Sequence, residues 1–187
     1  TYTVTATKLG CSSKSSSVAI NVTNCSNGGG NNNCALNKVR LVFRNDCCLH
    51  RLNGAKIQGS NDGSNWTDLY TINVNADGGW QEFTFGNTTS YSSVRFQSSS
   101  QGLGELMEIE FYNNTTKLSG TAFATGGTWE NNSSQYGYQN AFDGNAGGNF
   151  WQVSAAGTGN TIGLSSISGC ESCTPPNAPS LSANPNT

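Results

Sequence analysis

The chain has 187 residues, enough for one substantial core or two small domains. Only 11% of it is charged, and the net charge of -2 with nine scattered Lys and Arg argues against nucleic acid as the main partner. No apolar run approaches the roughly 18 residues that span a bilayer, so membrane insertion is not expected. No signal peptide is visible, so if the protein is exported that segment has been removed or lies outside this chain.

Residues 1–25, TYTVTATKLGCSSKSSSVAINVTNC, alternate in polarity: Tyr2, Val4 and Ala6 share one face, and Val18, Ile20 and Val22 repeat the period after a Gly-Cys-Ser turn. The pattern predicts a hairpin, which needs partners to be stable in water. It resembles the last two strands of the Ig-like repeats of large bacterial surface proteins. Residues 26–33, SNGGGNNN, have the composition of a flexible linker. The segment 174–187 carries Pro175, Pro176 and Pro179, reads as a stiffer linker, and resembles the opening strand of a following Ig-like repeat.

Between them, 34–173 reads as the main domain. Strands are predicted over Lys38 to Arg44, Ala55 to Ser60, Asp68 to Val74, Trp80 to Phe85, Ser93 to Ser98, Met107 to Tyr112, Thr116 to Ala124 and Thr161 to Leu164. Gly, Asn, Asp and Ser punctuate them at the short spacing of an all-β sandwich, and no helical period is evident. The abundance of Gly, Ser, Asn and Thr suits a turn-rich β surface rather than helices.

Seven cysteines stand at Cys11, Cys25, Cys34, Cys47, Cys48, Cys170 and Cys173. Cys170-x-x-Cys173 has the spacing of half a zinc site or a redox pair, but its flanks are loop and linker and no second pair follows. Disulfides in an oxidising compartment are the expectation. Cys34 and Cys170 bracket the central domain, and a bridge between them would be worth on the order of 4 kcal/mol in the chain-entropy picture. Adjacent Cys47 and Cys48 leave open a vicinal bond or, as the favoured expectation, separate bridges to other loops.

KIQGSNDGSNW from Lys56 to Trp66, followed by SVRFQ from Ser93 and MEIEFY from Met107, resembles the discoidin family, the type C β-sandwich of galactose-binding carbohydrate-binding modules. YQNAFDGNAGGNFW, Tyr136 to Trp151, resembles the family's Asp-Gly loop ending in Trp. In the usual family order that loop comes first, whereas here it follows MEIEFY, so the domain reads as circularly permuted. The resemblance implies a jelly-roll body with Trp66 and Trp151 in its core.

It also implies a calcium ion shared by the Asp-Gly loop and the Glu of the MEIEFY strand. By position Asp143 and Glu108 supply carboxylates, while Asn145, Asn149 and the carbonyls of Ala141 and Met107 fill the shell. Such a hard cation takes six to eight oxygens. NAGGN after the Asp-Gly lowers the charge of that set. The plain alternative is an ordinary turn and a solvated strand glutamate.

A sugar needs an aromatic ring for its apolar face and polar groups for its hydroxyls. The loop DCCLHRLN, Asp46 to Asn53, is the best candidate, with His50 and Arg51 beside Arg44. Trp80 and Trp129, in polar Gly-rich surroundings, are the candidate stacking platforms. A single loop histidine also suits an ordinary hydrogen-bonding role, and Arg51 would equally brace the loop.

Glu105, Glu108 and Glu110 cluster, with Glu105 expected in the loop before the strand. No nucleophile-base arrangement, metalloprotease motif or P-loop accompanies them, so the reading is not an enzyme. It is a non-catalytic, extracellular, secreted carbohydrate-binding or adhesion module of a multi-repeat cell-surface protein, with polysaccharide and neighbouring repeats as partners. The alternative is a structural repeat of a filament, assembled by copies of itself through complementary terminal strands.

Overall fold

The computed structural model describes residues 35–168. The hairpin at 1–25, the linker at 26–33, the segment 174–187 and the proposed Cys34–Cys170 pair lie outside the described residues, as do the complementary strands of the filament alternative.

The described chain is built of ten strands in two antiparallel sheets. The first sheet runs β4 (Trp80–Thr84), β1 (Lys38–Phe43), β6 (Gly104–Asn113), β7 (Thr116–Lys117), with β9 (Trp151–Gln152) also on β6. The second runs β3 (Thr67–Thr71), β2 (Lys56–Ser60), β5 (Ser93–Gln97), β10 (Thr161–Ser168), β8 (Ser119–Ala124).

Period-2 alternation sets the faces. β1 turns Val39, Leu41 and Phe43 inward and Lys38 and Arg40 outward. β5 buries Val94 and Phe96, and β10 buries Ile162 and Leu164. Ile109 and Phe111 of β6 meet them from the other sheet within one core. Each fully buried side chain of this size stabilises the fold by about 1.5–3 kcal/mol.

The two stretches that resemble opposite ends of the discoidin order close into one body. β10 pairs with β5 through Ile162↔Phe96, and β9 pairs with β6 through Leu106↔Trp151. Trp151 is buried, as expected, and its ring lies on Gly104, where an added Cβ would stand 2.8 Å from Cε3. Gly104 also sits at φ +89°, a conformation open to glycine at little cost.

Several boundaries differ from the sequence reading. β3 stops at Thr71, and Ile72 turns into the core instead of continuing the strand. β6 starts three residues before Met107, because a bulge opposite Val42 and Phe43 lets Gly104–Leu106 join the sheet. Glu105 is therefore a fully buried strand residue rather than a loop residue. The predicted strand Thr116 to Ala124 is two strands, β7 and β8, broken where Leu118 enters the core. Short helical segments also occur. These are 3₁₀ turns at Leu49–Leu52, Trp129–Asn131 and Tyr138–Phe142, and one α-turn at Ser133–Tyr136, all too short to show a period in sequence.

Trp66 is not core. It precedes the edge strand β3, packs outside the second sheet under the Arg95 guanidinium at 3.9 Å, and donates its indole N–H to Gly63 O. Asn61-Asp62-Gly63 makes the turn before it: Asp62 accepts from the Ser64 and Asn65 amides, and Gly63 takes φ +70°.

Candidate functional site

The strand directions place four connections at one end of the sandwich: 44–55, 72–79, 98–103 and 125–160. Backbone hydrogen bonds tie them together. Ala76 N–H donates to Leu49 O at 2.9 Å, Val153 N–H to Leu103 O at 2.8 Å, and Gly157 N–H to Gly102 O at 3.1 Å. Ser99 Oγ donates to Arg51 O at 2.6 Å.

At the centre of this end is Glu105, with no solvent exposure. Arg51 donates to its carboxylate from Nη1 at 2.7 Å, and Arg44 approaches the same oxygen at 3.8 Å. A buried carboxylate is tolerated only when paired, so Glu105 draws both arginines inward. Arg44 is the more fully engaged. Its Nε and Nη2 reach Asp46 at 2.7 Å, its Nη1 donates to Gln152 Oε1 at 3.0 Å, and its guanidinium lies 4.8 Å from the Phe150 ring centre. The fork-to-fork hydrogen bonds from Arg44 hold the Asp46 carboxyl down at about 2.

His50 and Arg51 ride on the 3₁₀ turn Leu49–Leu52, whose Leu52 anchors it in the core. His50 is exposed. Cys47 and Cys48 are bonded to each other, not to other loops, and Cys48 starts the turn with φ +64°.

Trp80 opens β4 at the same end, opposite Val42, with 41% of its surface exposed and the Arg40 guanidinium 4.6 Å from its ring centre. Trp129 is half-buried and adjoins the end through Thr128, which bridges to Val153. The five sugar candidates thus share one end. Arg44 and Arg51 meet at Glu105, whereas Trp80 of β4 lies against Arg40 and Trp129 follows the Thr128–Val153 bridge, neither hydrogen-bonded to that pair among the described residues. Glu105, Gln152 and Phe150 were missed by the sequence reading. Phe150 stood inside a quoted motif, but nothing in its spacing marked it as a support for Arg44.

A second cluster lies on the outer face of β6. The Asp143–Gly144 loop folds onto that strand, and Gly144, at φ +80°, donates its N–H to Glu108 Oε2 at 2.9 Å. Glu108 is only 1% exposed, not the solvated residue of the plain alternative. Burial pushes its carboxyl up to about 7, partly offset by the Gly144 hydrogen bond. Asp143 is exposed and accepts from Asn145 N–H at 2.8 Å. Asn145 Oδ1 caps Gly147 N–H, and Asn149 Nδ2 donates to Ser134 O. Ala141 and Met107 are buried beside them. A crevice of about 170 Å³ opens next to Glu108, lined also by Glu110, Lys117, Phe142 and Leu164.

Residues 31–96, covering β1 to β5 and the loop of His50 and Arg51, match a family model described as the NedA-like, galactose-binding domain of the F5/F8 type C group. This match supports a discoidin-like domain. No curated protein and no solved structure matches the chain. Domains of this galactose-binding-like kind are binding modules and generally non-catalytic. The all-β, two-sheet architecture of this discoidin-like domain agrees with the match. Among the described residues no helix is long and apolar enough to cross a membrane.

Proposed function

We propose that this discoidin-like domain is a non-catalytic carbohydrate-binding module of a secreted, cell-surface protein, and that it holds a galactose-type sugar at the loop end. The observation that carries the reading is that His50, Arg51 and Trp80, all within the segment matching a galactose-binding family, lie at one end of the sandwich, where Glu105 holds Arg51. Arg51, oriented by Glu105, offers guanidinium N–H groups to sugar hydroxyls, and exposed His50 offers a ring nitrogen. Trp80 offers an exposed ring for the apolar face of a pyranose. Arg44 is better read as a positioning group, since its donors are taken up by Asp46, Gln152 and Glu105. Trp129, half-buried, forms the flank. Weak sites of this kind gain strength when modules are linked, which suits an adhesive surface protein.

The second cluster fits a structural calcium ion. The carboxylates of Glu108 and Asp143 would hold it, with the side chains of Asn145 and Asn149 and the carbonyls of Ala141 and Met107 as the further oxygen donors. Glu108 is a buried carboxyl with one hydrogen bond in the structure, and a divalent cation would favour its ionised form. The ion would fasten the Asp143 loop to β6. Its role here is to hold, not to react.

Affinity electrophoresis through gels containing galactose-rich polysaccharides tests the proposal. Wild-type protein is expected to be retarded, with about tenfold weaker retardation for Arg51→Ala or Trp80→Ala, as for loss of a central contact. Equal mobility of wild type in gels with and without every such polysaccharide would contradict it.

A further inference from the structure

The bond between Cys47 and Cys48 is not used by the reading above. It joins consecutive residues, with Cα atoms 3.8 Å apart, so it closes a small ring of two side chains and one peptide group. Such a short loop removes little entropy from the unfolded chain, and the bond is poorly placed to stabilise the sandwich as a whole. Its position gives it a local effect. Cys48 is the residue before the 3₁₀ turn Leu49–Leu52 and stands at φ +64°, a left-handed conformation that non-glycine residues adopt at a cost. No side chain caps that turn at its start. What holds it is the hydrogen bond from Arg51 N–H to Cys48 O at 2.9 Å, followed by that from Asn53 N–H to His50 O at 3.1 Å. Both sulfurs lie within 4.8 Å of a Glu105 carboxylate oxygen, the group that receives Arg51.

We propose that the Cys47–Cys48 disulfide is a redox-sensitive latch that sets the turn bearing His50 and Arg51. Closed, the ring holds Cys48 in its left-handed conformation and so fixes the direction in which the turn leaves β1. A small-molecule thiol opens it by exchange. One thiolate attacks a sulfur and forms a mixed disulfide, and a second thiol then releases the protein. Two thiol molecules thus become one small-molecule disulfide, and Cys47 and Cys48 each gain a hydrogen. Opening frees Cys48 to relax toward negative φ and places two S–H donors beside the carboxylate that orients Arg51. The consequence for ligand rests on the carbohydrate-binding reading; the consequence for the turn does not.

Variants of the full chain test this without disturbing its other cysteines. Amide hydrogen exchange is measured for wild type, for Cys47→Ala with Cys48→Ala, and for Cys47→Ala with Cys48→Gly. The double alanine variant is expected to exchange Arg51 and Asn53 amides roughly tenfold faster or more, with Phe96 and Ile162 amides unchanged. The glycine variant, which accepts positive φ without the bond, is expected to recover most of that protection. Unchanged exchange at Arg51 and Asn53 overturns the latch, as does equal acceleration throughout the sheets. Retardation by polysaccharide is measured in parallel, and the double alanine variant is expected to lose it about tenfold. Retardation undiminished in that variant overturns the latch as a control on binding. If wild type is not retarded while the exchange pattern responds as expected, the carbohydrate reading falls and the latch on the turn stands.

Discussion

Glu105 and Glu108, three residues apart on β6, have opposite surroundings. Glu105 meets two guanidinium groups, Arg51 at 2.7 Å and Arg44 at 3.8 Å, and stays paired inside the fold. Glu105→Gln leaves both arginines facing a neutral amide and is expected to lower unfolding free energy by about 2–3 kcal/mol, read as a shifted urea midpoint. Glu108 meets no cation at hydrogen-bond distance, and burial raises its carboxyl from 4.5 to about 7. Between those values the folded protein keeps a proton that the unfolded chain has released. Stability therefore falls as pH rises through that window, and the penalty is absent below it and complete above it, on the order of 3 kcal/mol. In metal-free buffer Glu108→Gln is expected to remove this slope, so its melting temperature exceeds wild type at pH 8 and converges with it near pH 4.5. If calcium binds as proposed, it raises the wild-type melting temperature more at pH 8 than at pH 5 and leaves Glu108→Gln nearly unmoved. A slope that persists in the variant contradicts the assignment.

At the scale of elements, β6 organises both clusters. Its first residues carry Glu105 to the loop end, and its middle presents Glu108 to the Asp143 loop. The irregularity that permits this is centred on Gly104, where the backbone is left-handed and Trp151 presses on the missing Cβ. Gly104→Ala is expected to cost about 2 kcal/mol or more and to raise near-ultraviolet mobility of Trp151, checked by thermal melting and fluorescence anisotropy. Strands were legible where alternation is strong, as in KVRLVF and SVRFQ. The start of β6 was not, because Gly-Leu-Gly-Glu reads as a turn until a partner strand is in place. Trp66 was misplaced for a related reason. The resemblance implies core for it, but it precedes an edge strand, and Arg95 on the outer face shelters it. Short 3₁₀ turns such as Leu49–Leu52 leave no period to read.

At the scale of the molecule, the sandwich brings together segments far apart in sequence: β5 with β10, β6 with β9, and the Asp143 loop with Glu108. The all-β architecture followed from composition and turn spacing, and the resemblance anticipated that the Asp-Gly loop would meet the MEIEFY strand. The pairing of Arg51 with Glu105 did not follow, since 54 positions separate them and only the closed fold makes them neighbours. Separate bridges were the favoured expectation for Cys47 and Cys48, because a ring closed between adjacent residues is strained, and the structure instead joins the two to each other. The central claim is that the loop end is where this module meets its ligand. Backbone chemical shifts of the isotopically labelled protein, followed during titration with a galactose-containing oligosaccharide, test it most directly. The account predicts perturbations gathered at His50, Arg51, Glu105 and Trp80, with the outer face of β2 and β5 silent. Perturbations gathered instead around Trp66 and Arg95, or none at saturating sugar, would contradict it.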